Sequence, residues 1–311
     1  MTSSVLTRAT GVAGEPAAAG RPRRRRRHDV PWLFTVPALA FYLFVVIVPS
    51  VQGAGFAFTD WDGLSQVKHF VGLREFRRLV DDSAATGAIV NTVVIGIGVT
   101  VVQNLVGLLL ALGVNSRIRS RNVLRVFLFA PAVITSVAVG YLWQNLMTSK
   151  GGLNQVLSAV GLGSLQQNWL GNAHIALYSL IGVIVWQFAG YSMVIFLAGL
   201  QGVPDELIEA GYIDGAGPVR RFWWIVRPML APAITINLML SIIGGLKLFD
   251  QVLVMTGGGP GGATDTMSTL IYKNAFQFNE FSYGIAMALV LTVFVALVSG
   301  LQYRLLSRQG R

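Results

Sequence analysis

The sequence predicts an all-α membrane protein with six transmembrane helices, and three observations carry that prediction. Apolar residues make up 53% of the 311-residue chain and charged ones 12%, with a mean hydropathy of +0.60, a balance that fits no soluble class. Six stretches are apolar over the ~20 residues that a helix rising ~1.5 Å per residue needs to cross a hydrocarbon core ~30 Å thick. The basic residues gather at the ends of those stretches.

In chain order, the segment from Met1 to Val30 is rich in Ala, Gly, Pro and Arg and ends on the run Arg23 to Arg27. It lacks the apolar residues to build a core, so it is expected to be a disordered basic cytoplasmic tail. The first span is expected from Trp32 to Phe58. A cleaved signal peptide is the competing reading here, but the apolar run is longer than an h-region and no small-residue cleavage site stands out, which favours an uncleaved anchor. A twin-arginine signal fits poorly, because Arg26-Arg27 leads through His28-Asp29-Val30 straight into a full-length span. The other spans are expected at Gly87 to Val114, Val123 to Met147, Ile175 to Leu200, Met229 to Met255 and Tyr283 to Leu306. Uninterrupted runs such as Ala286 to Val298 lack the alternation of a membrane β-strand, and backbone in lipid must pair within its own helix. Residues 31–311 therefore read as one transmembrane domain.

Orientation follows from Lys and Arg in the short loops. With the N-terminus inside, 17 of the 24 basic residues fall on the inside and 6 on the outside, Lys247 lying within a span. Both termini are therefore expected in the cytoplasm, together with the loop over residues 201–228. The net charge of +10 would suggest nucleic acid as a partner for a soluble chain, but seven of the 24 basic residues precede Trp32 and most of the others lie at the ends of apolar runs, so nucleic acid is not an expected partner and the lipid bilayer is. With no cysteine and only the dispersed His28, His69 and His174, the sequence offers no evident metal or thiol site.

The run Gly257-Gly258-Gly259-Pro260-Gly261-Gly262 formally satisfies G-x-G-x-x-G, with Glu280 about twenty residues on, where a dinucleotide fold would hold its ribose acid. That fingerprint must open the helix of a soluble βαβ unit, whereas this run follows a membrane span. As a P-loop it fails too, since Ala263 stands where the phosphate-binding Lys belongs. The residues themselves read as a flexible turn between two spans, with no catalytic cluster beside it and no cofactor bound.

The inside loop is more informative. Pro204 suits a helix first turn, Asp205 and Glu206 its positive end, and Asp214-Gly215 a left-handed stop, which predicts a short helix from Pro204 to Ile213. Leu207, Ala210 and Gly211 share a stripe by spacing, with Ile208 and Tyr212 beside it, so this helix has an apolar side for docking. A second short helix is expected from Pro218 to Val226, carrying Phe222, Trp223 and Ile225 towards the membrane boundary.

Glu209-Ala210-Gly211, Asp214-Gly215-Ala216, Phe222, Ile225 and Pro228 together resemble the EAA loop of binding-protein-dependent ABC importer permeases. The resemblance implies the type I importer permease fold, with this loop as a coupling helix inserted into a cleft of an ATPase subunit. It implies that Glu209 makes a polar contact to that ATPase, that Ala210 and Gly211 allow close approach, and that Gly215 permits the turn. The family usually has Ala where Gly211 stands, and Gly in a helix interior costs ~0.5–1 kcal/mol. The resemblance extends through Gly72-Leu73-Arg74-Glu75-Phe76, Asn91-Thr92, the Gly151 to Leu157 run with Asn154, Trp169-Leu170 and Leu197-Ala198-Gly199-Leu200. Phe249-Asp250 with Thr256 to Pro260 and Thr264 is similar to the carbohydrate branch, the maltose, multiple-sugar and glycerol-3-phosphate importers. That branch implies a second, different permease subunit as heterodimer partner, two cytoplasmic ATPase subunits that hold the ATP and Mg, and an external solute-binding protein. It also places Gly257, Gly258, Gly259 and Pro260 beside the docking surface for that protein.

Polar side chains inside spans face partner helices or wet cavities. The candidates for a solute pathway are Trp143, Gln144, Asn145, Trp186, Gln187, Tyr191, Asn237, Lys247 and Asp250, accompanied by Asn91, Gln103, Asn104 and Ser241. Amides and carboxylates bonding to hydroxyls while aromatic faces cover C–H groups suit a sugar, and the same residues suit interhelical packing. Lys247 and Asp250, at i and i+3 of one predicted helix, are placed either to neutralise each other as a packed ion pair or to line a gate at the exit of the pathway. The alternatives are a secondary transporter, for which no internal repeat of spans is found, and a channel, for which no pore ring is evident.

Overall fold

The computed structural model describes residues 32–116 and 120–307, so the tail expected over residues 1–30 lies outside the described residues. The described residues are helical with no strand, apart from one isolated bridge between Thr59 and Phe70. The chain divides into two units, Met1–Pro49 and Ser50–Arg311. In the first, α1 (Trp32–Tyr42) runs on through a wide turn (Leu43–Ile47) towards α2 (Val48–Phe56). The second unit continues with α3 (Arg74–Asp81), α4 (Ser83–Asn115), α5 (Arg121–Val133), α6 (Ser136–Leu146), α7 (Gly152–Ala159) and α8 (Ala173–Gln201). After these come α9 (Asp205–Ile213), then α10 (Pro218–Arg221) joined by a wide turn (Phe222–Val226) to α11 (Arg227–Met229). The chain closes with α12 (Ala231–Leu246), α13 (Asp250–Met255), α14 (Met267–Tyr272) and α15 (Phe281–Ser307).

Among the described residues, four helical stretches have the length and hydropathy of a span: Thr35–Phe56, Ser83–Asn115, Ala173–Gln201 and Phe281–Leu306. The expected third and fifth spans are not straight helices. Residues Arg121–Val133 and Ser136–Leu146 meet at 95°, and Pro218–Met229 meets Ala231–Leu246 at 73°. Pro131 lies in α5 with no N–H to offer, Ile134 and Thr135 are extended, and the Thr135 side chain caps α6 by accepting from Ala138 N. At the other bend Pro228 and Pro232 flank Leu230 and remove two donors from the junction. The expected fifth span is also cut at its far end, because α12 stops at Leu246 and the helix restarts only at Asp250.

Backbone freed by such breaks must be paired inside the protein. Gln187 Nε2 donates to Ile134 O at 3.0 Å, and Thr266 Oγ1 donates to Leu248 O at 3.1 Å. Polar residues in the apolar core thus complete broken helices.

The two long helices α4 and α8 pack together, with α12 on α4 and α5 on α8. Ile95, Val99, Leu180, Val183 and Ile184 form the core between them, joined by Val139 of α6 and Val252 of α13. Glycines set the closest approaches. A Cβ on Gly190 would strike the Leu128 carbonyl, one on Gly107 the Ser192 side chain, and one on Gly245 the Gly96 backbone. Also in the second unit, α3 joins the start of α15 through Arg78, which donates to Glu280 at 2.7 and 2.8 Å and lies over the Tyr283 ring. The hydrogen bonds that Arg78 donates to the Glu280 carboxylate raise the Arg78 pKa.

Candidate functional site

α9 starts at Asp205, with Pro204 outside as its N-cap, one residue later than expected. Its end is a left-handed stop: Gly215 has φ +72°, and Ala216 N donates to Gly211 O at 2.9 Å. Of the expected stripe only Gly211 is buried, while Leu207, Ala210 and Tyr212 are exposed and Ile213 is 87% exposed. Gly211 explains itself by contact, since a Cβ there would lie 2.7 Å from Ile225 Cδ1. Ile225 belongs to the 218–229 helix, so the missing side chain lets the two short helices touch. Arg221 lies 3.3 Å over the Tyr212 ring and pins the same junction. Phe222 and Val226 pack on a core of Ala111, Met193, Phe196 and Leu230, which anchors the pair to α4 and α8. Glu209, Ala210 and Asp214 are left exposed, and Ala216 half-buried, on a rigidly mounted hairpin.

The glycine-rich run is not the flexible turn its composition suggests. Gly257, Gly258, Gly261 and Gly262 have positive φ, and the hydroxyls of Thr256 and Thr264 pair at 2.8 Å. Thr264 Oγ1 donates to Gly259 O and Thr264 N to Gly258 O, so the loop is closed by its own ends. Beneath it, Asp265 accepts from Lys273 Nζ at 2.7 Å and from Thr269 Oγ1 at 3.0 Å. A Cβ on Gly258 would collide with the Asp265 carboxylate. Only Gly257, Gly261 and Gly262 are exposed, and Gly259 and Pro260 line a cleft of about 490 Å³ with Asn168, Thr148 and Gln144. The opposite wall is held by buried Asn154, whose amide reaches Ser149 O and Gln167 O and whose Oδ1 accepts from Trp169 Nε1.

Four of the nine pathway candidates meet at one cavity. Tyr191, Asn237, Lys247 and Asp250, with Gln103 and Ser241, line a volume of about 390 Å³ between α8, α12 and the α12–α13 break. Asn237 is 0% exposed, and neither its Oδ1 nor its Nδ2 has a hydrogen-bond partner. The expected pairing of Lys247 with Asp250 along one helix face is incorrect, because the helix breaks between them and both point an exposed charge at the cavity. The remaining candidates lie elsewhere. Gln187 bridges Ile134 O and Gln251, Gln144 reaches Met255 O at 3.4 Å, Asn145 bonds back to Tyr141 O, and Trp143 stacks edge-on with Trp186. Nothing in the spacing of Asp265 and Lys273 in the sequence signals that they pair. Gln251, the partner of Gln187, is legible in the sequence as a second amide, after Asn237, on the predicted fifth span. Among the described residues no three His, Asp or Glu side chains gather as a metal site would need.

The family described as binding-protein-dependent transport system inner membrane component matches residues 103–311. The multiple sugar-binding transport system permease protein MsmF of Streptococcus mutans is 34% identical over 88% of this chain and 94% of its own length. The starch degradation products transport system permease protein AmyD of Thermoanaerobacterium thermosulfurigenes, itself a probable assignment, is 34% identical over 89% and 94%. Among solved structures, a bacterial ABC transporter involved in the import of the acidic polysaccharide alginate superposes with a TM-score of 0.78 over 90% of this chain and 95% of that one, at 21% identity. A second structure of that fold holds the transporter with an alginate pentasaccharide-bound periplasmic protein. Bent spans, a hairpin mounted on the long helices and a match across most of the sequence lead to one statement: the chain belongs to the family of binding-protein-dependent transport system inner membrane components, the multi-pass permease subunits of ABC importers.

Proposed function

We propose that this permease carries a saccharide across the inner membrane after delivery by an external solute-binding protein. The observation that carries the solute class is the agreement of relatives along nearly the whole chain, among them systems described for multiple sugars, trehalose and maltose, and lactose. In this reading the chain forms half of a heterodimer with a second permease, and two ATPase subunits that hold ATP and Mg close on α9 from the cytoplasm. Glu209, Ala210, Asp214 and Ala216 offer the exposed contact, and Gly211 and Gly215 fix its position. Differential contact of α9 with the open and closed ATPase shifts the pathway between its two states. The glycine loop and the Asn154 wall form the rim of the outer cleft, facing the binding protein. Both termini lie in the cytoplasm.

The orphaned amide of Asn237 supports the cavity as the solute pathway, because a buried polar group without a partner costs ~1–3 kcal/mol and a sugar hydroxyl would satisfy it. Asn237→Leu removes no hydrogen bond within the chain, so membrane abundance should stay at the wild-type level while saccharide uptake by the reconstituted importer falls at least ~5-fold. Unchanged uptake would remove Asn237 from the pathway, and stimulation of ATP hydrolysis by no saccharide-loaded binding protein would overturn the solute class.

A further inference from the structure

The 218–229 helix has two faces, and only one is used by the chain. Phe222, Ile225 and Val226 turn inward, whereas Trp223 and Trp224 are 55% and 78% exposed and Arg220 and Arg227 stand beside them. Arg227 holds its guanidinium 5.2 Å from the Trp223 ring centre. Trp223, Trp224, Arg227 and Pro228 line a groove of about 380 Å³ with no carboxylate in its wall. The adjoining groove, with Arg220, Arg221 and Trp224, contains Asp214, which offsets its charge. From Gly215 to Met229 the sequence has three arginines and no acid.

We propose that this outward face binds the headgroup of an anionic phospholipid, with Arg227 meeting the phosphate and the two indoles seated among the glycerol and upper acyl carbons. Three features select a lipid. Indole beside arginine is the composition of the membrane interface, where the ring spans the polar boundary and the cation reaches the headgroup. The helix lies at 73° to the α12 span, so a span near the bilayer normal lays it close to the membrane plane. Its surplus of positive charge complements an anionic headgroup and not a neutral one. The bound lipid then fixes the depth of the helix on which Gly211 of α9 rests. The inference requires the membrane reading alone and is independent of the solute and of the ATPase contact.

Quenching by brominated lipid tests it on the assembled importer in nanodiscs. Emission from Trp223 and Trp224 is isolated as the difference between wild type and the Trp223→Phe, Trp224→Phe variant. Bromine carried on a minority of phosphatidylglycerol should quench that emission more strongly than the same fraction on phosphatidylcholine. Arg227→Gln should reduce the preference about fivefold, and Arg227→Lys should keep it. Millimolar inorganic phosphate should leave it unchanged. Equal quenching by both lipids would overturn the site in favour of an unspecific aromatic belt. Absence of quenching by either would show the face covered by protein, and displacement by free phosphate would assign the groove to a soluble anion.

Discussion

At Gly258 the backbone sits at φ +89° and a methyl group would fall on the Asp265 carboxylate, which Lys273 also holds. Gly259, one residue on, has no positive φ, and a Cβ there would lie 3.2 Å from Thr256 O and 4.0 Å from Gly261 N. The two glycines therefore differ in what they permit, although the sequence presents them as equivalent. Gly258→Ala is expected to cost ~1–3 kcal/mol from backbone strain alone, and more once the ion pair shifts. Gly259→Ala should cost well under that, and thermal unfolding of the two purified variants checks the order. A further contrast separates Gly211, where a Cβ would meet the movable end of the Ile225 side chain, from Gly215, which has open space and needs its glycine only for φ.

Among the elements, the broken third span shows how polar residues are used. Gln187 is 1% exposed, donates to the orphaned Ile134 carbonyl and accepts from Gln251. Its amide is committed within the chain, as a joint between α5, α6, α8 and α13. Gln187→Leu strands a carbonyl and an amide in the core, a loss of ~1–3 kcal/mol. The expected outcome is lower stability in detergent with an unaltered choice among saccharides. A changed solute preference with full stability would return Gln187 to the pathway. Close helix approach works by the opposite means, through Gly190, Gly107 and Gly245, where absence of a side chain brings backbones together.

For the whole molecule, the proposed cycle depends on α9 being exposed, rigidly mounted and on the inside. A carboxylate lost from a docked interface costs ~2–5 kcal/mol if buried there and paired. Glu209→Lys and Gly215→Val should leave membrane abundance near wild type while ATPase association and uptake collapse. The valine acts through φ +72° alone, so it should misplace the hairpin without removing a contact. Uptake at the wild-type level in either variant would count against α9 as the coupling element. The proposed orientation rests on the 17 to 6 division of basic residues, and a periplasm-active reporter fused after Arg220 should be silent. Activity there would invert the topology and the cycle with it.

Fold class, the positions of the long spans, the hairpin at 205–213 and the family were legible in the sequence, because each rests on local pattern: ~20 apolar residues in a row, a proline at a helix start, a glycine at its stop, a short motif. The breaks at Ile134, Leu230 and Lys247 were not. A run of apolar residues has the same hydropathy whether straight or bent, and the carbonyl freed by a bend is paired by Gln187 or Thr266 from distant parts of the chain. For the same reason hydropathy does not distinguish Gln187 from Asn237 as a candidate. Only the tertiary structure separated an amide that completes a neighbour's backbone from one whose hydrogen bonds are still to be made.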